Sequence, residues 1–173
     1  MQTSSNAGSV LAVCQKAEPG IPKIEVDAIH LLENLGIAGD YHAGEFVRHR
    51  YLAKKDPTRP NIRQVLIIDT TILSYLGSQG MHLKPGWMGE NLILDGISVM
   101  TLPLGTQLEI GEAKVEISEI RNPCYQLDEM HPGVLEAVKT SGPVPDQRNA
   151  GMMARILRGG WVRSGDPVLR LLP

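Results

Sequence analysis

The feature that most narrows the fold is rhythm: short apolar runs, each cut off by Gly or Pro. The chain carries 18 Gly and 12 Pro among its 173 residues, and they fall between these runs, as in many strands joined by tight turns. Val10 to Val13, Gln64 to Ile68, Leu92 to Leu94, Met152 to Leu157 and Val168 to Leu172 read as strands. Lys23 to Ala28 and Ala113 to Ser118 alternate polar and apolar residues, the pattern of a strand with one wet face. Turns fall at Pro19-Gly20-Ile21-Pro22, Asp95-Gly96, Leu104-Gly105, Ile110-Gly111, Gly159-Gly160 and Gly165-Asp166. Two short helices are expected, Thr71 to Leu76 behind a cap at Asp69 or Thr70, and Gly133 to Lys139. With one Phe, the core must be built from Val, Ile, Leu and Met. Such a chain removes its open strand edges by closing on itself. The expected fold is mainly β: a single closed barrel over residues 9–172, preceded by a frayed tail from Met1 to Gly8.

Charge excludes some classes of partner. The balance of 17 basic against 19 acidic residues advertises neither nucleic acid nor an anionic membrane. No apolar run approaches membrane-spanning length, and the polar start lacks the basic and apolar regions of a secretory signal. Two cysteines, Cys14 and Cys124, make no disulfide framework, so a cytoplasmic location with free thiols is expected.

The chemistry concentrates at Glu119-Ile120-Arg121-Asn122-Pro123-Cys124-Tyr125. Pro123 has no N–H for a sheet, so the preceding strand should stop there and leave Cys124 at its end. Arg121 lies three residues upstream, and a nearby guanidinium favours the thiolate, which is the nucleophile and a soft metal ligand. The alternative is a buried cysteine serving as a small hydrophobe, the role expected of Cys14. Asp40 and His42, two apart, share a face in extended backbone and suit metal ligation or proton transfer; an Asx-type turn with a solvated histidine fits equally. Between Arg48 and Arg63, six cations (Arg48, Arg50, Lys54, Lys55, Arg59, Arg63) meet one acid, Asp56. That run is either an anion clamp or a solvated loop, and Pro57 and Pro60 argue against one continuous helix. In Lys84-Pro85-Gly86-Trp87-Met88-Gly89-Glu90-Asn91-Leu92, Glu90 and Asn91 should tie down backbone groups, with Trp87 as packing. Arg148 precedes the strand from Met152, and Arg155 lies on it, facing either solvent or a cavity.

These segments together resemble the MOSC family, named for the C-terminal domain of molybdenum cofactor sulfurase. The likeness runs in order through Gly36 to His42, Arg63-Gln64-Val65, Leu83 to Leu92, Gly105 to Gly111, Arg121-Asn122-Pro123-Cys124 and Gly160 to Pro167. It spans nearly the whole chain and is closest in shape to small stand-alone bacterial members. The resemblance implies a β-barrel, a Cys124 that carries a persulfide or ligates molybdenum, and a molybdopterin-type cofactor. It casts Arg121 as stabiliser of the thiolate, and Arg63, Arg148 and Arg155 as candidates for the pterin phosphate. Asp40 and His42 would line the same mouth. One departure stands out: relatives often place an arginine beside the glycine that opens the penultimate strand, whereas here Asn149-Ala150 precedes Gly151. Three functions follow as expectations: a cofactor-binding or sulfur-carrier domain, a molybdenum-dependent reductase of N-hydroxylated compounds, or a non-catalytic anion- or protein-binding barrel. The partners implied are a sulfur donor or an electron-transfer protein, and exposed strand edges leave room for a homodimer.

Overall fold

The computed structural model describes residues 4–171. Its strands are β1 (Ser4–Gln15), β2 (Ile24–Val26), β3 (Ala28–Leu32), β4 (Gly36–Ile37), β5 (Val65–Asp69), β6 (Leu92–Asp95), β7 (Gln107–Ile110), β8 (Ala113–Ile120), β9 (Met152–Arg158), β10 (Gly160–Arg163) and β11 (Pro167–Leu171). The helices are α1 (Arg50–Lys55), α2 (Thr70–Ser78), α3 (Gln126–Met130) and α4 (Val134–Thr140).

Seven strands close a ring in the order β11-β7-β8-β9-β5-β6-β1, with β1 returning to β11. Every neighbour pair is antiparallel except β5 and β6, so the result is a mixed, closed β-barrel as the turn rhythm implied. Strand β2 hangs on the edge of β1, and β10, β3 and β4 form a small separate sheet. Alternation sends Val10, Val65, Ile67, Val115, Ile117, Met152, Ala154 and Ile156 into one aliphatic core.

Two expectations need correction. The tail assigned to Met1–Gly8 is strand from Ser4 onward, because Ser4 to Ser9 pair with Leu171 to Pro167 and complete the ring; residues 1–3 lie outside the described residues. The single strand expected over Lys23 to Ala28 breaks at Asp27: β2 pairs with β1, while β3 pairs with β10 in the other sheet.

Helix α2 is capped as anticipated by Asp69, which accepts from the N–H groups of Thr71 and Ile72, but it runs through Gly77 to Ser78. In the basic run, α1 ends ahead of Pro57. Strand β8 stops at Ile120, three residues before Pro123, and Arg121 adds one last ladder bond from its N–H to the Gly151 carbonyl. No helix among the described residues is long and apolar enough to cross a membrane.

Candidate functional site

A cavity of about 240 Å³ lies against the barrel wall where β5, β8 and β9 run together. Its floor includes Leu66 and Met153, a cross-strand pair on the face opposite the core side chains Val65 and Met152. Three loops enclose it, with Gly89 and Asn91 adding to the wall just ahead of β6. One loop brings Pro19 to Lys23, one brings Tyr41 to Arg63 through the start of α1, and the third is Arg121–Cys124 with Gln126 of α3. The site is therefore built beside the barrel wall, from loops whose residues are far apart in sequence.

Cys124 is half-buried, unpaired and on this cavity; its Sγ donates to Gln126 Oε1 at 3.6 Å. Arg121 lies in the same wall and is only 8 % exposed. Among the described residues its guanidinium makes one hydrogen bond, from Nη1 to the Ala150 carbonyl at 3.2 Å. Among the described residues no Asp or Glu forms an ion pair with it. Burial lowers the Arg121 pKa, while a Cys124 thiolate and the Glu90 carboxylate work in the opposite direction. A charge kept so dry, with the Glu90 carboxylate acting on it only from beyond ion-pair contact, is better compensated when an anion faces it.

Asp40 plays a different part from the one expected. It does not line the cavity, and its carboxylate is consumed by bonds to the scaffold. It accepts from Lys23 Nζ at 2.8 Å, Asn91 Nδ2 at 3.1 Å, the Lys16 N–H at 3.3 Å and the His42 N–H at 3.0 Å. The last bond is the Asx-type turn. Burial pushes the Asp40 carboxyl up, but the bonds from His42 and the Lys23 ammonium outweigh it and hold the group well below the usual carboxylate range. His42 and Lys23 do face the cavity, so Asp40 aims two of its neighbours there. His42 Nδ1 stands 3.5 Å from Asp40 Oδ1.

The arginine candidates separate. Arg63 lines the cavity and is locked to Glu119 Oε2 at 2.6 Å. Arg148 sits in a shallow depression with Lys139 and Gln147, and reaches the site only indirectly by donating to Asn122 Oδ1 at 3.1 Å. Arg155 is a correction. It shares a face of β9 with Met153 but lies two residues, roughly 7 Å, further along, where it pairs with Glu116 at 2.9 Å. Arg155 therefore belongs to the exposed barrel face. Half of the basic run is recruited: Arg48, Arg50 and Arg63 line the cavity, with Arg48 stacked 4.4 Å over the Tyr41 ring.

Glu90 and Asn91 are structural, as anticipated. Asn91 joins the Leu66 N–H, the Cys14 carbonyl and Asp40. Glu90 accepts from the N–H groups of Gly86 and Met88, and burial pushes its carboxyl up against those bonds. Gly86 must be glycine: its φ is +86°, and a Cβ there would collide with the Lys23 carbonyl. That close approach, with the Lys23 N–H bonded to the Gly86 carbonyl at 2.9 Å, pins the lysine over the cavity.

Sequence reasoning passed over Lys23, His49, Asn61, Gln64 and Gln126, all on the wall. Asn61 donates to the carbonyls of His42 and Gly44 at 2.9 and 3.0 Å, stapling the His42 turn to the basic run. The Asn-Ile-Arg-Gln spacing before a buried strand is the local cue that was available for Asn61 and Gln64.

The chain is thus a closed, mixed β-barrel with a thiol and a dry guanidinium on the wall of one cavity. Residues 37–169 match the MOSC domain family, and the chain belongs to it. It is 27% identical over 135 residues to the protein YiiM of Escherichia coli (strain K12), covering 70% of this chain and 51% of the relative. The chain thus spans about half the length of that curated relative. Among solved structures it superposes on the YuaD protein of Bacillus subtilis with a TM-score of 0.80 at 16% identity, over 100% of both chains. YiiM of Geobacillus stearothermophilus gives 0.63 at 19% identity, over 95% of this chain and 74% of the other. These likenesses establish the fold.

Proposed function

We propose that the cavity holds a small anionic cofactor of the molybdopterin type and that Cys124 is its sulfur anchor, as thiolate to molybdenum or as carrier of a persulfide. The observation that carries this reading is Arg121: a buried guanidinium with a single carbonyl bond, on the same wall as a half-buried thiol. An anion beside it removes the penalty of the unpaired charge. Arg48 and Arg50 extend that positive field, while Arg63 is paired with Glu119, and Arg groups suit phosphate oxygens through bidentate contacts. Of the amides on the wall, Asn61, Gln64 and Asn91 are held by bonds to the scaffold, and Gln126, beside Cys124, is the one placed to hydrogen-bond a pterin edge.

Among the described residues no group of three or more His, Cys, Asp or Glu is placed to hold a metal ion. A metal bound here would therefore arrive already ligated by its cofactor, and Cys124 would add one soft ligand. When bound, such a group supplies the redox or sulfur chemistry; the chain orients it and balances its charge.

Two measurements test the reading. Iodoacetamide near pH 7 should label Cys124 of the folded protein, read by peptide mass; a Cys124 that stays unlabelled sinks it. Protein made in cells competent for cofactor synthesis should be analysed for molybdenum. Metal on the native chain and none on Cys124→Ser supports ligation, whereas a reactive thiol without metal supports sulfur carriage.

A further inference from the structure

Two side-chain nitrogen or oxygen atoms among the described residues are sealed from solvent without a hydrogen-bond partner: Nδ1 of His49 and Oε1 of Glu119. Both belong to the neighbourhood of one cavity. His49 and Arg63 line it, and the other oxygen of Glu119 is locked on Arg63. Each orphaned atom costs roughly 1–3 kcal/mol, so the coincidence needs a reason.

The two orphans are complementary in kind: an imidazole Nδ1–H is a donor and a carboxylate Oε1 an acceptor. They make no direct bond to each other, and one bridging water would serve both. Proton placement on Nδ1 leaves the lone pair on Nε2, the nitrogen of this ring that is not sealed. A carboxylate that fixes the tautomer of a histidine is a general way to prepare a base. The ring is also not used elsewhere: His49 sits at the start of α1 but makes no side-chain capping bond.

We infer that His49, backed by Glu119, is the proton-exchanging residue of the Cys124 cavity. The inference rests on Cys124 acting as a sulfur carrier and adds the group that moves its proton. His49 Nε2 takes the thiol proton of Cys124 across the cavity. The thiolate attacks the outer sulfur of a persulfide donor, a new S–S bond forms at Cys124, and the donor's own S–S bond breaks. The imidazolium then returns its proton to the departing thiolate. No oxidant or reductant is consumed, because one S–S bond replaces another.

The charges around the ring support this role. Burial and the positive groups Arg63, His42 and Arg121 lower the His49 pKa, and Glu119 opposes them. Arg48 and Arg50, its chain neighbours, line the same space and add to the positive side. His49 is thus kept neutral at pH 7, the form that accepts a proton.

The test compares two reagents on the native chain and on His49→Gln. Iodoacetamide reports the equilibrium thiolate, which a neutral imidazole does not set, and its iodide leaves unprotonated, so labelling of Cys124 should stay within about threefold of native. Glutathione persulfide releases a thiolate of ordinary basicity, whose departure is faster when a proton is delivered to it. Sulfur transfer from it to Cys124, read by mass, should fall by roughly 10²-fold. Its pH profile should also lose the inflection that lies below the ordinary histidine range. An unchanged transfer rate and pH profile in His49→Gln would overturn the inference while leaving a labelled Cys124 intact. A native chain whose Cys124 neither labels nor takes sulfur overturns the sulfur-carrier reading and this one together. Glu119→Gln should show a smaller loss in transfer with labelling retained.

Discussion

Cys14 and Cys124 are the same side chain in opposite surroundings. Cys14 lies within β1, one residue before its end, fully buried and with its carbonyl held by Asn91. Burial pushes its thiol up to about 12, and the carboxylates of Glu90 and Glu25 add to the effect while Lys23 opposes it. Cys124 leaves β8 past Pro123, stays half-buried and shares a cavity wall with a guanidinium. The lesson is that position relative to the sheet decides which sulfur does chemistry: inside the ladder a thiol is packing, and one turn beyond it the thiol meets solvent and charge.

The sharpest way to break this contrast is competitive labelling. At pH 8 a thiol titrating near 12 presents about one thiolate in 10⁴, so Cys124 should be alkylated at least about 10³ times faster than Cys14. Comparable rates for the two peptides would dissolve the distinction. Next in size is the scaffold shared by the two sulfurs. Asp40→Ala leaves Lys23 buried without its counter-ion and should cost about 3–5 kcal/mol in chemical denaturation.

The same carboxylate sets an acid dependence with a definite sign. The folded Asp40 pKa is depressed, so its contribution is complete above the unfolded value of roughly 3.9 and is lost as pH falls toward the folded one. Asp40→Asn should flatten that limb of the stability–pH curve. A smaller effect is expected for Arg121→Met, which removes the positive charge facing Cys124. Labelling of Cys124 at pH 7 should slow by on the order of fivefold, with Cys14 unaffected. Smallest is Arg155→Ala on the outer barrel face. Losing its exposed pair with Glu116 should change stability by less than about 1 kcal/mol and leave both thiols as they were.

Part of this arrangement was legible in the chain. The turn rhythm called for a closed barrel, and Pro123 marked where a cysteine would escape the sheet. Glu90 and Asn91 were readable as backbone ties because polar groups at the start of a buried strand must find partners. Asp40 and His42 were ambiguous for a physical reason. The same two-residue spacing makes an Asx turn and a shared face, and the structure uses the first for Asp40 while turning His42 to the cavity. Arg155 misled because alternation names the face of a strand but not the distance along it.

The sequence by itself determined most of the barrel strands, their turns, the aliphatic core and the exit of Cys124 from β8, since each of these depends on neighbours a few residues away. The start of β1 and the break between β2 and β3 were set by distant pairing. Tertiary structure alone decided that Lys23, His49, Arg63 and Arg121 share one wall with that sulfur. Those residues lie up to a hundred positions apart, and only barrel closure, with three loops folded against β5 and β9, brings their charges within reach of one another.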